Sequence, residues 1–284
     1  MTTYAVIAAN QNHSYDFFAP ITTLMWEKVV GYRTICLLTD TAAEWENPTA
    51  ALVKSKTLEV GAHVHHIGKI EGYQSAQAAQ SSRHHAAILD LPEDDVLITG
   101  DIDMLPLNGP WFRQHDSERY AFTLWYWNAY GEIYPPYHCT AYIGASVKLW
   151  REVLDLKPTG EIGPQLQANF DRTLTRYHDS WQGWNHDELF FGARLKGSDY
   201  YPDQCQQILR QGQPPNDRID RSSWPVTFDW SREWTDTHMI RPPASHENWI
   251  RLRPLLEHYM PEKMAWIDDY LVQYRKLRYY GFEA

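Results

Sequence analysis

The stretch Asp95-Val96-Leu97-Ile98-Thr99-Gly100-Asp101-Ile102-Asp103-Met104-Leu105-Pro106-Leu107 decides the fold of this chain. Its apolar run is too short for a helix and is bounded by Pro92 and Gly109, which predicts a buried strand. The strand leads into Asp-x-Asp. Two ionised carboxylates near a core are costly without a cation between them, and Mg²⁺ and Mn²⁺ prefer such oxygen ligands. The motif therefore predicts a divalent-metal site, with a solvated acidic turn as the alternative.

The sequence before this stretch alternates strand and helix patterns. We expect strands at residues 4–9, 33–39 and 63–67, and helices at 20–30, 48–60 and 74–91. This order predicts a Rossmann-like α/β fold, a three-layer αβα sandwich around a central, mostly parallel sheet. In such sheets ligands bind at the carboxyl ends of the strands, which is where Asn10, Asp40 and Asp101 lie.

The second half of the chain has a less regular pattern. We expect strands at 120–127, 138–145 and 237–240, and helices at 147–154, 162–177 and 189–195. Residues 211–235 are predicted to be irregular, and residues 246–279 to form two helices split at Pro261. Asp187 and Glu188 open one of these helices. Acidic residues at a helix start are favoured by the helix dipole, so simple capping is the alternative to a functional role.

The composition limits the classes of function. The 284 residues carry a formal net charge of −10, which argues against nucleic acid as a main partner. The sequence has no apolar run of membrane-spanning length and no signal-peptide pattern, so we expect no transmembrane segment and a cytoplasmic location. Cys36, Cys139 and Cys205 are predicted to be reduced, mostly buried thiols. The 13 Trp and 18 Tyr suit a core, and also a protein that stacks rings on sugars or bases.

Three motifs together resemble a known fold family. They are Asp101-Ile102-Asp103-Met104, the segment Tyr142-Ile143-Gly144-Ala145-Ser146-Val147, and the triplet His186-Asp187-Glu188. With them the chain resembles the GT-A glycosyltransferases, nearest to the family of the histo-blood-group A/B enzymes and α-1,3-galactosyltransferase. The likeness covers roughly residues 4 to 205. It implies a GT-A nucleotide-sugar-binding and catalytic domain at 1–205, with residues 206–284 as a C-terminal extension packed on it.

The resemblance also implies an activity and roles for individual residues. The enzyme would transfer a sugar from a nucleotide-sugar donor, with UDP-hexose favoured, to a saccharide or other hydroxyl acceptor, and a retaining mechanism is favoured. Asp101 and Asp103 would hold Mn²⁺, or Mg²⁺, against the donor diphosphate. Glu188 would be the catalytic acid at the anomeric carbon, with Asp187 beside it contacting sugar hydroxyls. Further donor contacts would come from strand ends, a neighbouring helix and the donor-discriminating segment: Ala8, Ala9, Asn10, Asp40, Arg83, Cys139, Thr140 and Ala141.

A late histidine and several residues near the aromatic loops complete the predicted site. Several GT-A families supply such a histidine to the metal, which points to His238, with His246 as a weaker rival. A histidine satisfied by hydrogen bonds in a strand is the alternative for His238. The predicted acceptor contacts are Trp127, Tyr130, Trp184 and His186.

Other functions stay open at this stage. The segment Trp181-Gln182-Gly183-Trp184 followed by acids is similar to a motif of β-1,4-galactosyltransferases, which would make Asp187 or Glu188 the general base of an inverting enzyme. The two acids lie about 100° apart on a helix, so we expect only one to face the sugar. A haloacid-dehalogenase-type phosphatase also uses Asp-x-Asp after a strand. A non-catalytic sugar-binding protein would need the aromatic residues alone.

Overall fold

A computed structural model describes residues 1–129, 138–173, 185–209 and 217–279. Its strands are β1 (Thr3–Ala9), β2 (Arg33–Thr39), β3 (His63–Gly68), β4 (Val96–Thr99), β5 (Met104–Pro106), β6 (Phe122–Trp125), β7 (Tyr142–Ser146), β8 (Cys205–Ile208), β9 (Arg218–Asp220) and β10 (Asp236–His238). Seven of them form a central sheet in the order β3-β2-β1-β4-β7-β6-β8, and the other three form a small sheet in the order β5-β10-β9.

The central sheet is mostly parallel. Strand β1 pairs in parallel with β2 and β4, β2 pairs in parallel with β3, and β6 pairs in parallel with β8. Only β7 runs against its neighbours β4 and β6 in this sheet. The predicted fold class is therefore confirmed, and β4, predicted to be a buried strand, is buried along its whole length beside β1.

The sheet is covered on both faces. Along β1, Ala5 and Ile7 belong to one hydrophobic cluster, whereas Val6 and Ala8 belong to the other. Side chains alternate between the two faces of a strand, so each face packs against its own helical layer. The helices are α1 (Phe18–Met25), α2 (Pro48–Glu59), α3 (Ser75–Ser82), α4 (Gly109–Phe112), α5 (Val147–Leu154), α6 (Ile162–Thr173), α7 (His186–Lys196), α8 (His246–Tyr259) and α9 (Met264–Tyr279).

Local sequence signals set several of these boundaries. The Asn47 side chain accepts a hydrogen bond from the Ala50 amide at 3.1 Å, which caps α2 ahead of its first-turn proline. Ser146 caps α5 in the same way. Helix α1 is followed directly by a π-helical turn, Trp26–Val30, and Gly31 ends this turn with φ +85°, a conformation that glycine adopts at little cost. These starts and stops agree with the sequence predictions.

Other boundaries differ from the predictions. The helix expected at 74–91 ends at Ser82 and continues as a 3₁₀ helix over Arg83–Ile88. The segment 211–235, expected to be irregular, contributes β9 and a 3₁₀ helix at Arg221–Ser223 where it is described. Strands β5, β8 and β9 were not predicted, and each has only three or four residues.

The C-terminal helices pack on the same core as the N-terminal strands. Tyr270 of α9 stacks on Phe17 with ring centroids 4.7 Å apart, and the Tyr274 hydroxyl donates to Asp16 at 2.6 Å. All three cysteines are free thiols and buried. In the ranges that the structure covers, no helix has both the length and the apolar character needed to cross a membrane.

Candidate active site

A cleft of about 230 Å³ lies at the carboxyl ends of β1 and β4. Its walls combine the end of β1, the start of the loop after it, helix α3, the Asp-x-Asp segment, the start of α7 and the small sheet. The lining residues are Ala8, Asn10, Tyr15, Ala76, Ala79, Gln80, Arg83, Asp101, Ile102, Asp103, Asn185, Glu188, Arg221, His238 and Arg241. This is the edge at which an α/β sheet binds its ligands.

A buried ion-pair chain forms one wall of this cleft. The Arg83 guanidinium binds Asp101 through Nη1 and Asp187 through Nη2, the latter at 3.1 Å. Thr140 donates to the same Asp187 oxygen at 2.9 Å. Arg83 is 3% exposed at its side chain and Asp187 is 4% exposed, whereas Asp101 keeps 33% of its side chain exposed towards the cleft. Arg83 therefore holds the Asp101 carboxylate in position from the buried side and leaves part of it exposed to the cleft.

The ion pairs of Arg83 with Asp101 and Asp187 affect the pKa values of Arg83 and Asp187. Burial disfavours the charged guanidinium, but Asp101 and Asp187 outweigh it and raise the pKa of Arg83. Burial raises the pKa of Asp187, and Arg83 opposes this shift. The Arg83 Nε also donates to the Gln80 carbonyl at 3.0 Å, so the turn that ends α3 holds the guanidinium in place.

Asp103 lies at the centre of a second charged group. Its Oδ2 is 3.2 Å from Arg221, 3.4 Å from His238 Nε2 and 3.5 Å from Arg241. Strand β10 brings His238 here because it pairs antiparallel to β5 with His238 opposite Met104. His238 Nδ1 also lies 3.4 Å from Asp220. Burial opposes the charged imidazole, but the two carboxylates outweigh it and raise the pKa of His238 to about 9.

The residue types at this point fit a divalent ion. Two carboxylates and an imidazole are suitable ligands for Mn²⁺, and Mg²⁺ is likewise often shared between one or two carboxylates and substrate phosphates. Asp103 and His238 already face each other at 3.4 Å. Within the described ranges, however, no three His, Cys, Asp or Glu side chains are arranged around a common metal position. Arginines hold both carboxylates instead, so an ion would compete with Arg221 and Arg241 for Asp103, and with a proton for His238.

The two adjacent acids of α7 point to different places. Glu188 is half-buried and lines the cleft, whereas Asp187 is buried in the ion-pair chain beneath it. Cys139, Thr140 and Ala141 are buried next to this chain, and burial raises the pKa of the Cys139 thiol to about 12. The sequence left open which acid would face a substrate, and the fold turns Glu188 towards the cleft.

Of the residues predicted to lie on the nucleoside side of the donor site, some line the cleft and others do not. Ala8 and Asn10 line the cleft, and the Asn10 amide donates to Ser75 at 3.1 Å. Ala9 points into the opposite hydrophobic cluster because successive residues of a strand alternate faces. Asp40, with φ +72°, forms a β-bridge with Gly68 and is not among the cleft-lining residues.

The predicted acceptor residues lie outside the cleft where they can be placed. Trp127 is 7% exposed and stacks on His138 with centroids 4.0 Å apart. His186 is buried, stacks on Phe190 at 5.5 Å, and burial lowers its pKa to about 3. Tyr130 and Trp184 fall outside the described residues. His246 opens α8, away from Asp101 and Asp103, and does not line the cleft.

Several cleft residues carried no signal in the sequence. Tyr15, Arg221 and Arg241 line the cleft, and the Arg241 guanidinium lies 4.4 Å from the Tyr15 ring centre. Gln80 also lines it, with its amide oxygen buried and without a hydrogen-bond partner among the described residues. Arg221 and Arg241 flank short strands of the small sheet, so only the pairing of β5, β9 and β10 brings them to Asp103.

Comparison with known structures places the fold. It is the GT-A fold of glycosyltransferases, as the sequence predicted. The glycosyltransferase GlyE of Streptococcus pneumoniae TIGR4 aligns with a TM-score of 0.52 and 11% identity, over 95% of this chain. The chain spans 64% of the length of GlyE in that alignment. The galactosyltransferase LgtC, solved with donor and acceptor sugar analogues, aligns over 88% of this chain and 93% of its own, with 12% identity and a TM-score of 0.44.

Sequence comparison adds nothing to this placement. No protein-family model matches the chain, and no curated protein matches it. The GT-A fold does not favour a haloacid-dehalogenase phosphatase, in which Asp-x-Asp usually opens the domain. Here the motif follows the fourth strand of the chain.

Proposed function

We propose that this protein is a metal-dependent glycosyltransferase that moves a hexose from a UDP-sugar to a hydroxyl group of a saccharide or another acceptor. One observation carries the proposal: Asp101, Asp103 and Glu188 line a single cleft at the carboxyl edge of a GT-A sheet. Acids on both sides of one cleft match the needs of sugar transfer. The leaving diphosphate requires positive charge near it, and the anomeric carbon requires a carboxylate on its other side.

The residues on the donor side of the cleft would have different roles. Asp101, Asp103 and His238 would hold Mn²⁺, which supplies positive charge to the leaving diphosphate when bound. Arg83 keeps Asp101 in a fixed position through its buried ion pair. Ala8 and Asn10 line the part of the cleft next to β1, where the nucleoside would lie.

We propose a retaining course, in which one of the two acids faces the anomeric carbon. A retaining enzyme needs one carboxylate that faces the anomeric carbon, either to stabilise positive charge or to attack. Glu188 lines the cleft and suits this role. Asp187 is 4% exposed and shared between Arg83 and Thr140, so it acts by holding Arg83 in place. Of the two inverting alternatives, Asp187 as general base is disfavoured because that carboxylate is buried, whereas Glu188 as general base is tested by the stereochemistry of the product.

The test is a donor screen with matched variants. UDP release from UDP-glucose and UDP-galactose is measured with and without Mn²⁺, for the wild type, Asp101→Asn, Glu188→Gln and the exposed control Glu161→Gln. We expect Mn²⁺-dependent turnover that the first two variants lose and the control keeps. Glu188→Gln should retain UDP and Mn²⁺ binding, because its charge acts mainly in the transition state.

Three results would each contradict a different part of the proposal. Undiminished turnover in EDTA, or in Asp101→Asn, would remove the metal site. Proton NMR of the product reads the stereochemical course directly, and a β-linked product from an α-linked donor would exclude the retaining mechanism. Binding of UDP-sugars without any turnover would favour a sugar-binding protein over an enzyme.

A further inference from the structure

A second hollow adjoins the cleft and has a different chemical character. It is a groove of about 730 Å³ that shares Tyr15, Arg221 and Arg241 with the cleft as a common wall. We call it the arginine groove. Its lining residues are Asn12, Ser14, Tyr15, Arg221, Ser222, Ile240, Arg241, Asn248 and Arg251. The volume lies within the range of about 300–1,000 Å³ that is usual for small-molecule sites.

The arginine groove is lined by three guanidinium groups and, in the described part of the chain, by no carboxylate. Arg221 and Arg241 both rely on one oxygen of Asp103, at 3.2 and 3.5 Å, and share it with His238. Arg251 is exposed on α8 and has no ion-pair partner among the described residues. The positive charge here is therefore under-compensated, in a chain whose formal net charge is −10.

The other lining groups suit an oxyanion. Asn12, Ser14 and Asn248 contribute amide and hydroxyl groups, and Ile240 is the one aliphatic side chain among the described lining residues. Guanidinium groups bind phosphate and carboxylate oxygens through paired hydrogen bonds, which are stronger than those between neutral groups. The Tyr15 ring supports Arg241 at 4.4 Å and limits its movement away from the groove.

From this geometry we infer that the arginine groove binds an anionic group, a phosphate or a carboxylate, carried by the acceptor substrate. The inference rests on the proposed function only in naming the acceptor as the carrier. The donor's predicted contacts, Asn10, Asp101 and Glu188, belong to the cleft and not to the groove. An acceptor held in this way would enter the cleft over Tyr15, on the wall that the groove and the cleft share, with its anionic group among the arginines. The substrate class is then an acidic saccharide or a phosphorylated hydroxyl compound.

The test uses inorganic phosphate as the probe. Phosphate is titrated into the ¹⁵N-labelled protein, alone and with saturating UDP and the diamagnetic ion Mg²⁺, and amide shifts report binding. We expect phosphate to bind in both conditions, and Arg251→Gln to weaken it by about tenfold, since hydrogen bonds between charged groups are the strong ones. The matched control is Arg253→Gln on the same helix, whose guanidinium pairs with Glu257 and Asp268 and should leave phosphate binding unchanged.

Three results would overturn the inference. Phosphate displaced completely by UDP and Mg²⁺ would mean that the arginines serve the donor diphosphate. An unchanged affinity in Arg251→Gln, or an equal loss in Arg253→Gln, would mean an adventitious ion only. The proposed function is judged separately, by UDP and Mn²⁺ binding and by donor turnover. Phosphate binding without UDP binding would therefore reject the proposed function while keeping the anion site.

Discussion

Arg83 offers the sharpest test of how the cleft is held together. Replacing it with Met keeps the length and the apolar stem of the side chain but removes the charge between Asp101 and Asp187. Asp101 is 33% exposed and can be rehydrated, whereas Asp187 is 4% exposed and cannot. The destabilisation therefore comes mainly from an unpaired buried carboxylate, for which the usual magnitude is about 3–5 kcal/mol.

The loss of stability in Arg83→Met should also depend on pH. Burial already raises the pKa of Asp187, and Arg83 is the group that opposes this shift. Without Arg83 the folded state holds the Asp187 proton more tightly than the unfolded state does. The variant should therefore be least destabilised at low pH, and the loss should grow as the pH rises above the ordinary range of an aspartate. We expect a larger loss at pH 8 than at pH 5.

Urea denaturation at pH 5 and pH 8 measures both quantities. In the double variant with Asp187→Asn the pH dependence caused by Arg83→Met should disappear, because the buried charge is gone. Arg253→Met is the control for an exposed pair, and it should cost less than about 1 kcal/mol. A loss below about 1 kcal/mol for Arg83→Met, or an equal loss at both pH values, would refute the account of a buried and dependent Asp187.

Two further predictions concern Asp16 and His238. Burial raises the pKa of Asp16 to about 6, so its contribution to stability is full below pH 4 and is lost between pH 4 and pH 6. Asp16→Asn keeps an oxygen for the Tyr274 hydroxyl, and by urea denaturation it should gain roughly 3 kcal/mol over the wild type above pH 6 and nothing near pH 3; a gain that is the same at every pH would contradict this. His238→Ala should raise the Mn²⁺ concentration needed for half-maximal donor turnover without a large loss of stability, and an unchanged Mn²⁺ titration would return His238 to a purely structural role.

Local sequence patterns were sufficient to predict the layers of this fold and the position of its central strand β4. Each of the elements β1, β2, α2, β4 and α5 lies within a few residues of its predicted position, because local signals define them. A short apolar run bounded by turn residues favours a buried strand over a helix. Asn47 and Ser146 each cap a helix through a hydrogen bond to an amide three residues later, so this signal is also local. Asp-x-Asp could be placed at a strand end for the same reason.

The tertiary structure alone decided which charged groups meet. Asp103 is 118 positions from Arg221 in the sequence, and their contact depends on the pairing of β10 with β5 and β9, two short strands that were not predicted. The choice between Asp187 and Glu188 depends on how α7 is rotated against Arg83 and Thr140, which no local pattern encodes. Trp127 and His186 were predicted to contact the acceptor but are buried in the core, because the exposure of a side chain depends on packing and not on residue type alone.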